Sequence, residues 1–124
     1  MRLFLLTPLL VLAALPALAA ERWETLPPTP APIATDRSGS AQINGISIYY
    51  AIYGRGSPVI FLHGGLANTD YWGGQVPAVA AHHTVILMDS RGHGRSTRDA
   101  RPYGHDLMAD DVVALMRYIR CAHA

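Results

Sequence analysis

The sequence predicts an α/β domain: an antiparallel hairpin opens a sheet that parallel strands and crossover helices continue. Three observations carry this. Two continuous apolar runs, Pro58 to Leu62 and Thr84 to Met88, stop abruptly at His63-Gly64-Gly65 and at Asp89, as strands buried on both faces do where they leave a sheet. Between them lies a helix-compatible stretch, so strand, helix and strand form a βαβ unit with an expected right-handed crossover. Ahead of them, Asn44-Gly45 separates Ala41 to Ile43 from Ile46 to Tyr53, the strongest short hairpin signal a sequence offers.

Taken in order, the chain begins with Met1-Arg2, an apolar run from Leu3 to Leu15, and the small-residue segment Ala17-Leu18-Ala19-Ala20. A positive start, a run too short to span a bilayer and an Ala-x-Ala site predict a signal peptide over residues 1–19, cleaved after Ala19. The competing reading, an uncleaved anchor, is disfavoured by the shortness of the run. The expectation is an exported chain, periplasmic or secreted, with no stable membrane insertion after cleavage. Such a compartment is oxidising, yet Cys121 is the single cysteine and makes no internal disulfide.

Residues 20–39, centred on Pro27-Pro28-Thr29-Pro30-Ala31-Pro32, read as a proline-rich linker in extended geometry, with the folded domain over 40–124. The second hairpin strand alternates Ile46, Ile48, Tyr50 and Ile52 against smaller or polar neighbours. Gly54-Arg55-Gly56-Ser57 is the next turn. Beyond His63-Gly64-Gly65, Asn68 or Thr69 caps a helical stretch that carries Trp72, Val76 and Val79 on one face. Gly73-Gly74 interrupts it, so a fresh start follows with Pro77 in its opening turn. After the second apolar run comes the glycine-punctuated loop Asp89-Ser90-Arg91-Gly92-His93-Gly94-Arg95-Ser96. From Asp106 the pattern is helical. Met108, Val112, Leu115, Met116 and Ile119 share a face, while Asp106, Asp110 and Asp111 come early and Arg117 and Arg120 late, matching the helix dipole at both ends.

Composition excludes several function classes. At 124 residues there is room for one domain at most, and the net charge is +1 with arginine as the only basic residue type. Arg91, Arg95, Arg98 and Arg101 are a local cluster that a solvated loop explains, not the basic stripe that nucleic acid requires. His82, His83, His93 and His105 with Asp89 have no spacing tied to a metal geometry. Neither a metal nor another cofactor is expected.

The succession of a buried strand into His63-Gly64-Gly65, an aromatic-bearing helix, a buried strand into Asp89-x-Arg91-Gly92-x-Gly94-x-Ser96 and an acidic-start helix resembles the amino-terminal part of the α/β-hydrolase-fold superfamily. The likeness covers roughly Ser40 to Ile119. His63 to Asn68 followed by Tyr71-Trp72 looks most like its lactonase, esterase and haloperoxidase-like branch.

The resemblance implies that Gly65 gives a backbone N–H to an oxyanion hole, that His63 is a structural turn residue, and that Leu66 and Trp72 line the entrance of the substrate pocket. It implies structural roles for the second loop also, with Asp89 and Ser96 bonding backbone and Arg91 pairing with a carboxylate. The expected parent activity is hydrolysis of a small-molecule ester or lactone by a serine nucleophile, without a cofactor. That nucleophile would sit on a Gly-x-Ser-x-Gly elbow, and no such elbow occurs in the 124 residues. Gly94-Arg95-Ser96-Thr97-Arg98 lacks the closing glycine and follows no buried strand, which argues against Ser96. The chain thus reads as a truncated hydrolase, itself inactive, with an incomplete sheet. Two other readings are an exported, non-catalytic module that pairs with another chain or with itself through an exposed sheet edge, and an inactive remnant.

Overall fold

The computed structural model describes residues 27–121. The signal peptide expected over 1–19, and the start of the linker, lie outside the described residues. Four strands, β1 (Arg37–Ile43), β2 (Ile46–Tyr53), β3 (Ser57–Leu62) and β4 (His83–Met88), form one sheet in the order β1-β2-β4-β3. β1 with β2 and β2 with β4 are antiparallel; β3 with β4 is parallel. The expected hairpin followed by a parallel βαβ pair is the observed architecture.

Asn44 and Gly45 have φ of 47° and 75°, so both central residues of the hairpin occupy the left-handed region that a two-residue primed turn demands. β1 begins at Arg37, three residues before the expected start of the domain. It lies at one edge of the sheet and is largely exposed, so Arg37-Ser38-Gly39-Ser40 shows no apolar alternation from which a strand is legible. The residues before it are docked too. The Thr35 hydroxyl donates to the Ile52 carbonyl at 2.9 Å, the Gly54 N–H donates to Asp36 Oδ2 at 2.7 Å, and Ile33 packs on the core. The described end of the expected linker is therefore part of the fold.

Alternation along β2 divides the core into two layers. Ile46, Ile48 and Tyr50 join Ala41, Met88 and Leu115 on one face, beneath α2 (His105–Tyr118). Ala51 joins Val76, Val85 and Leu87 on the other, with Tyr49, Phe61, Trp72 and Val79 packed around them, beneath α1 (Val76–Ala80). Between β3 and α1 a 3₁₀ turn, Thr69–Trp72, is capped by Asn68, whose Oδ1 accepts from the Asp70 N–H at 2.9 Å. Pro77 occupies the first turn of α1, where its missing N–H costs nothing.

β4 is interior and buried from Val85 to Met88, but β3 is not buried on both faces as its apolar run suggests. Among the described residues β3 is the outermost strand with one edge unpaired, and Leu62 at its end is 52% exposed. An uninterrupted apolar run cannot distinguish an interior strand from one whose second neighbour is absent. Helix α2 ends on Arg120, with φ of 60°; the Cys121 N–H reaches back to the Met116 carbonyl at 2.8 Å and the Arg120 N–H to that of Arg117 at 3.1 Å. This is a Schellman closure with arginine where glycine is usual. No described helix is long and apolar enough to cross a membrane.

Candidate functional site

Because β3 and β4 are parallel and in register, with Leu62 opposite Met88, the two loops that follow them emerge together at the carboxyl edge of the sheet. His63 joins them. Its Nε2 accepts the Ser90 N–H at 2.9 Å, and its Nδ1 lies 2.8 Å from the Gly64 carbonyl oxygen. An N–H can only donate, so Nε2 carries the lone pair and Nδ1 the proton. Both ring nitrogens are thus engaged in backbone bonds, the structural role expected of this residue.

Gly65 borders a groove of about 400 Å³ between the end of β3 and helix α2, lined also by Leu62, Met88, Met108 and Val112. Its N–H makes no hydrogen bond among the described residues. A Cβ built on Gly64 or Gly65 meets nothing within 4 Å, so this backbone is open to close approach. Leu66 follows with φ of 61° and is 99% exposed, on the outside of the turn. Trp72 is not brought to the groove. Its ring packs on Phe61 at a centroid distance of 4.9 Å, in the core layer beneath α1, and its indole Nε1 is buried without a hydrogen-bond partner among the described residues. Of the three predicted positions, Gly65 alone borders the groove.

The second loop is a scaffold of buried polar groups. Asp89 is fully buried; Oδ1 accepts the Thr69 N–H at 2.7 Å and Oδ2 the Arg95 N–H at 2.8 Å. Gly94, with φ of 50°, passes so close that a Cβ there would sit 2.3 Å from Asp89 Oδ2. The Ser96 hydroxyl donates to the Asp89 carbonyl at 2.6 Å and accepts the Tyr49 N–H at 2.9 Å. That hydroxyl is committed to backbone on both sides, and no base is hydrogen-bonded to it among the described residues. The Arg95 guanidinium lies 4.1 Å from the centre of the Tyr49 ring.

Arg91 is buried and pairs with a carboxylate, that of Asp111 on α2; the hydrogen bond to Asp111 raises the guanidinium's already high pKa despite burial. Asn44 Nδ2 donates to Asp111 Oδ1 at 3.0 Å, and Arg101 donates to the Asn44 carbonyl, so hairpin turn, loop and helix are bonded together. Asp99 lies 3.1 Å from Arg91 Nη1, and its hydrogen bond from Arg101 lowers its pKa to about 2. By sequence pattern Asp111 is one of three early acids that match the helix dipole. The missed signal was its place three residues after Met108 and four before Leu115, inside the apolar stripe. Among the described residues, no group of three or more His, Cys, Asp or Glu is arranged to hold a metal ion.

Comparison with known proteins agrees with this geometry. A family model described as alpha/beta hydrolase fold matches residues 57–123. A non-heme chloroperoxidase of Kitasatospora aureofaciens is 41% identical over 86 residues, which are 68% of this chain and 29% of the relative. The solved structure of Est816, an N-acyl homoserine lactone degrading enzyme, superposes with a TM-score of 0.63, with 39% identity over 66% of this chain and 32% of that one. The enol-lactonase of Burkholderia xenovorans LB400 gives a TM-score of 0.67 with 29% identity, over 69% of this chain and 35% of that one. The chain spans about three tenths of the length of the curated relatives it matches, 29% for the chloroperoxidase.

Proposed function

The chain belongs to the alpha/beta hydrolase fold family, and from that premise we propose that it supplies the amino-terminal part of a serine hydrolase acting on a carboxylic ester or lactone. The observation that carries the proposal is the Gly65 N–H, without a partner among the described residues, at the rim of the groove between β3 and α2. When a nucleophile adds to an ester carbonyl, its oxygen gains negative charge. A donor already fixed by the fold stabilises that charge without reorganising. The attacking serine and its histidine base are assigned to residues outside this chain, since no elbow sequence occurs within it. The lactone-acting structural relatives favour this substrate class.

The test is a graft of residues 37–121 in place of the matching segment of Est816, followed by lactone ring opening. Turnover is expected in the graft and in its Gly65→Ala version, which keeps the N–H and has room for the methyl group. Gly65→Pro, which removes the N–H, is expected to lower kcat by about 10²–10³-fold. A folded graft that turns over equally well with proline at this position would refute the role. The 124-residue chain alone should hydrolyse a chromogenic short-chain ester only at background.

The open edge of β3 favours a second reading, in which the chain pairs through that edge with another copy. A defined dimer by light scattering, with no turnover in the graft, would select it. Export is proposed on Met1-Arg2 and the run that follows, and is checked by mass spectrometry of the mature amino terminus, expected at Ala20.

A further inference from the structure

We propose that His63 is a positioning residue: its imidazole, in the Nδ1–H form, sets the direction of the Gly65 N–H. This rests on the reading of Gly65 given above. Every described peptide bond is trans, so the Gly64 carbonyl and the Gly65 N–H point to opposite sides of one rigid plane. Whatever fixes the carbonyl also aims the N–H. The carbonyl is fixed by the His63 ring, with Nδ1 at 2.8 Å from its oxygen.

No other restraint is evident at this peptide. Glycines flank it on both sides and have the widest choice of φ and ψ. A Cβ at either would touch nothing within 4 Å, so packing does not hold the segment. The ring is itself anchored, because Nε2 accepts the N–H of Ser90, a residue 7% exposed in the loop after β4. The ring therefore transmits the position of a buried backbone to an exposed one. The other neutral tautomer would set an N–H against the Ser90 N–H and a lone pair against the Gly64 carbonyl, losing both bonds together.

Asparagine and glutamine separate the two bonds. His63→Asn presents an N–H where Nδ1 stands, and His63→Gln presents an acceptor where Nε2 stands. In the full ¹⁵N-labelled chain, long-range imidazole spectra should show His63 protonated on Nδ1. His63→Asn should keep the Gly65 amide ordered while Ser90 exchanges about tenfold faster, a loss of one ordinary hydrogen bond. His63→Gln should keep Ser90 protected while the Gly65 order parameter falls from roughly 0.85 to below roughly 0.6. An Nε2-protonated ring in the unsubstituted chain overturns the proposal, as does an ordered Gly65 in His63→Gln. The wild-type spectrum decides even where a substitution weakens the fold.

In the Est816 graft, His63→Gln should lower kcat with little change in KM, and His63→Asn should restore most of it. If Gly65→Pro leaves turnover intact, the oxyanion reading fails while the spectra still judge the positioning. If Gly65→Pro abolishes turnover and His63→Gln does not, the positioning fails alone.

Discussion

Arg91 holds Asp111 by two parallel bonds, Nε to Oδ2 at 2.9 Å and Nη2 to Oδ1 at 2.8 Å, with both side chains 1% exposed. A buried pair of this kind contributes less by its presence than its half-removal costs. Asp111→Ala leaves a cation without water or counter-charge on its main side, and is expected to cost about 3–5 kcal/mol. Replacing both residues together, Arg91→Met with Asp111→Leu, should recover most of the loss. Equilibrium urea unfolding of the three chains checks this, and an Asp111→Ala midpoint close to wild type would contradict it.

Asp99 gives the fold a pH dependence whose sign follows from its partner. The Arg101 guanidinium, first by its hydrogen bond and then with the Arg101 N–H and the charges of Arg101 and Arg91, takes the carboxyl from 3.8 to about 2. A depressed carboxylate stabilises the folded chain fully above its unfolded value and ceases to do so as pH falls through its folded one. The difference in Tm between wild type and Asp99→Asn should therefore hold steady above about pH 5 and close between about pH 4 and pH 2. A gap that persists at pH 2 would remove Asp99 from this role.

Two non-glycine residues stand in the left-handed region at turns where no side chain is required. Arg120, at the end of α2, has φ of 60°, and Leu66 has φ of 61° while 99% exposed. Left-handed backbone costs an L-residue roughly 1–2 kcal/mol, part of which glycine returns through its freer unfolded chain. Arg120→Gly and Leu66→Gly are each expected to stabilise by about 0.5–1 kcal/mol, additively, since they lie on separate turns. Thermal denaturation of the two variants and their combination is the measurement.

Leu62, at the exposed end of β3, tests the pairing of edges. A charge on an edge strand discourages a second strand from adding to it. Leu62→Lys should shift the chain toward monomer in light scattering at high concentration, whereas Val113→Lys, on an exposed position of α2, should not. No shift with Leu62→Lys, or an equal one with Val113→Lys, would contradict the proposed pairing through β3.

The hairpin was legible to the residue because Asn44-Gly45 is a local signal: both positive φ values are decided by those two residues themselves. The break between Trp72 and Val76 was legible for the same reason, Gly73-Gly74 and Pro77 acting on their own backbone. What escaped depended on partners distant in sequence. β3 reads as buried because its composition is that of an interior strand, yet exposure is set by what lies beside it. The packing of Trp72 on Phe61, eleven residues earlier, has no signature in the sequence around either ring. The need of Arg91 for a carboxylate could be foreseen, but Asp111, twenty residues on, could not be chosen by pattern alone from the four aspartates that follow Arg91.

The bonds joining Asn44, Arg91 and Asp111 also bear on how the chain acquires its shape during synthesis. The first hairpin and the loop after β4 leave the ribosome well before residue 111, and until then the guanidinium that is later enclosed has to remain in water. Early segments therefore cannot settle into their final arrangement one at a time. Helix α2, which follows the hairpin and β4 in the chain, supplies the anion on which closure of these elements waits, so they are expected to fold as one cooperative event rather than stepwise.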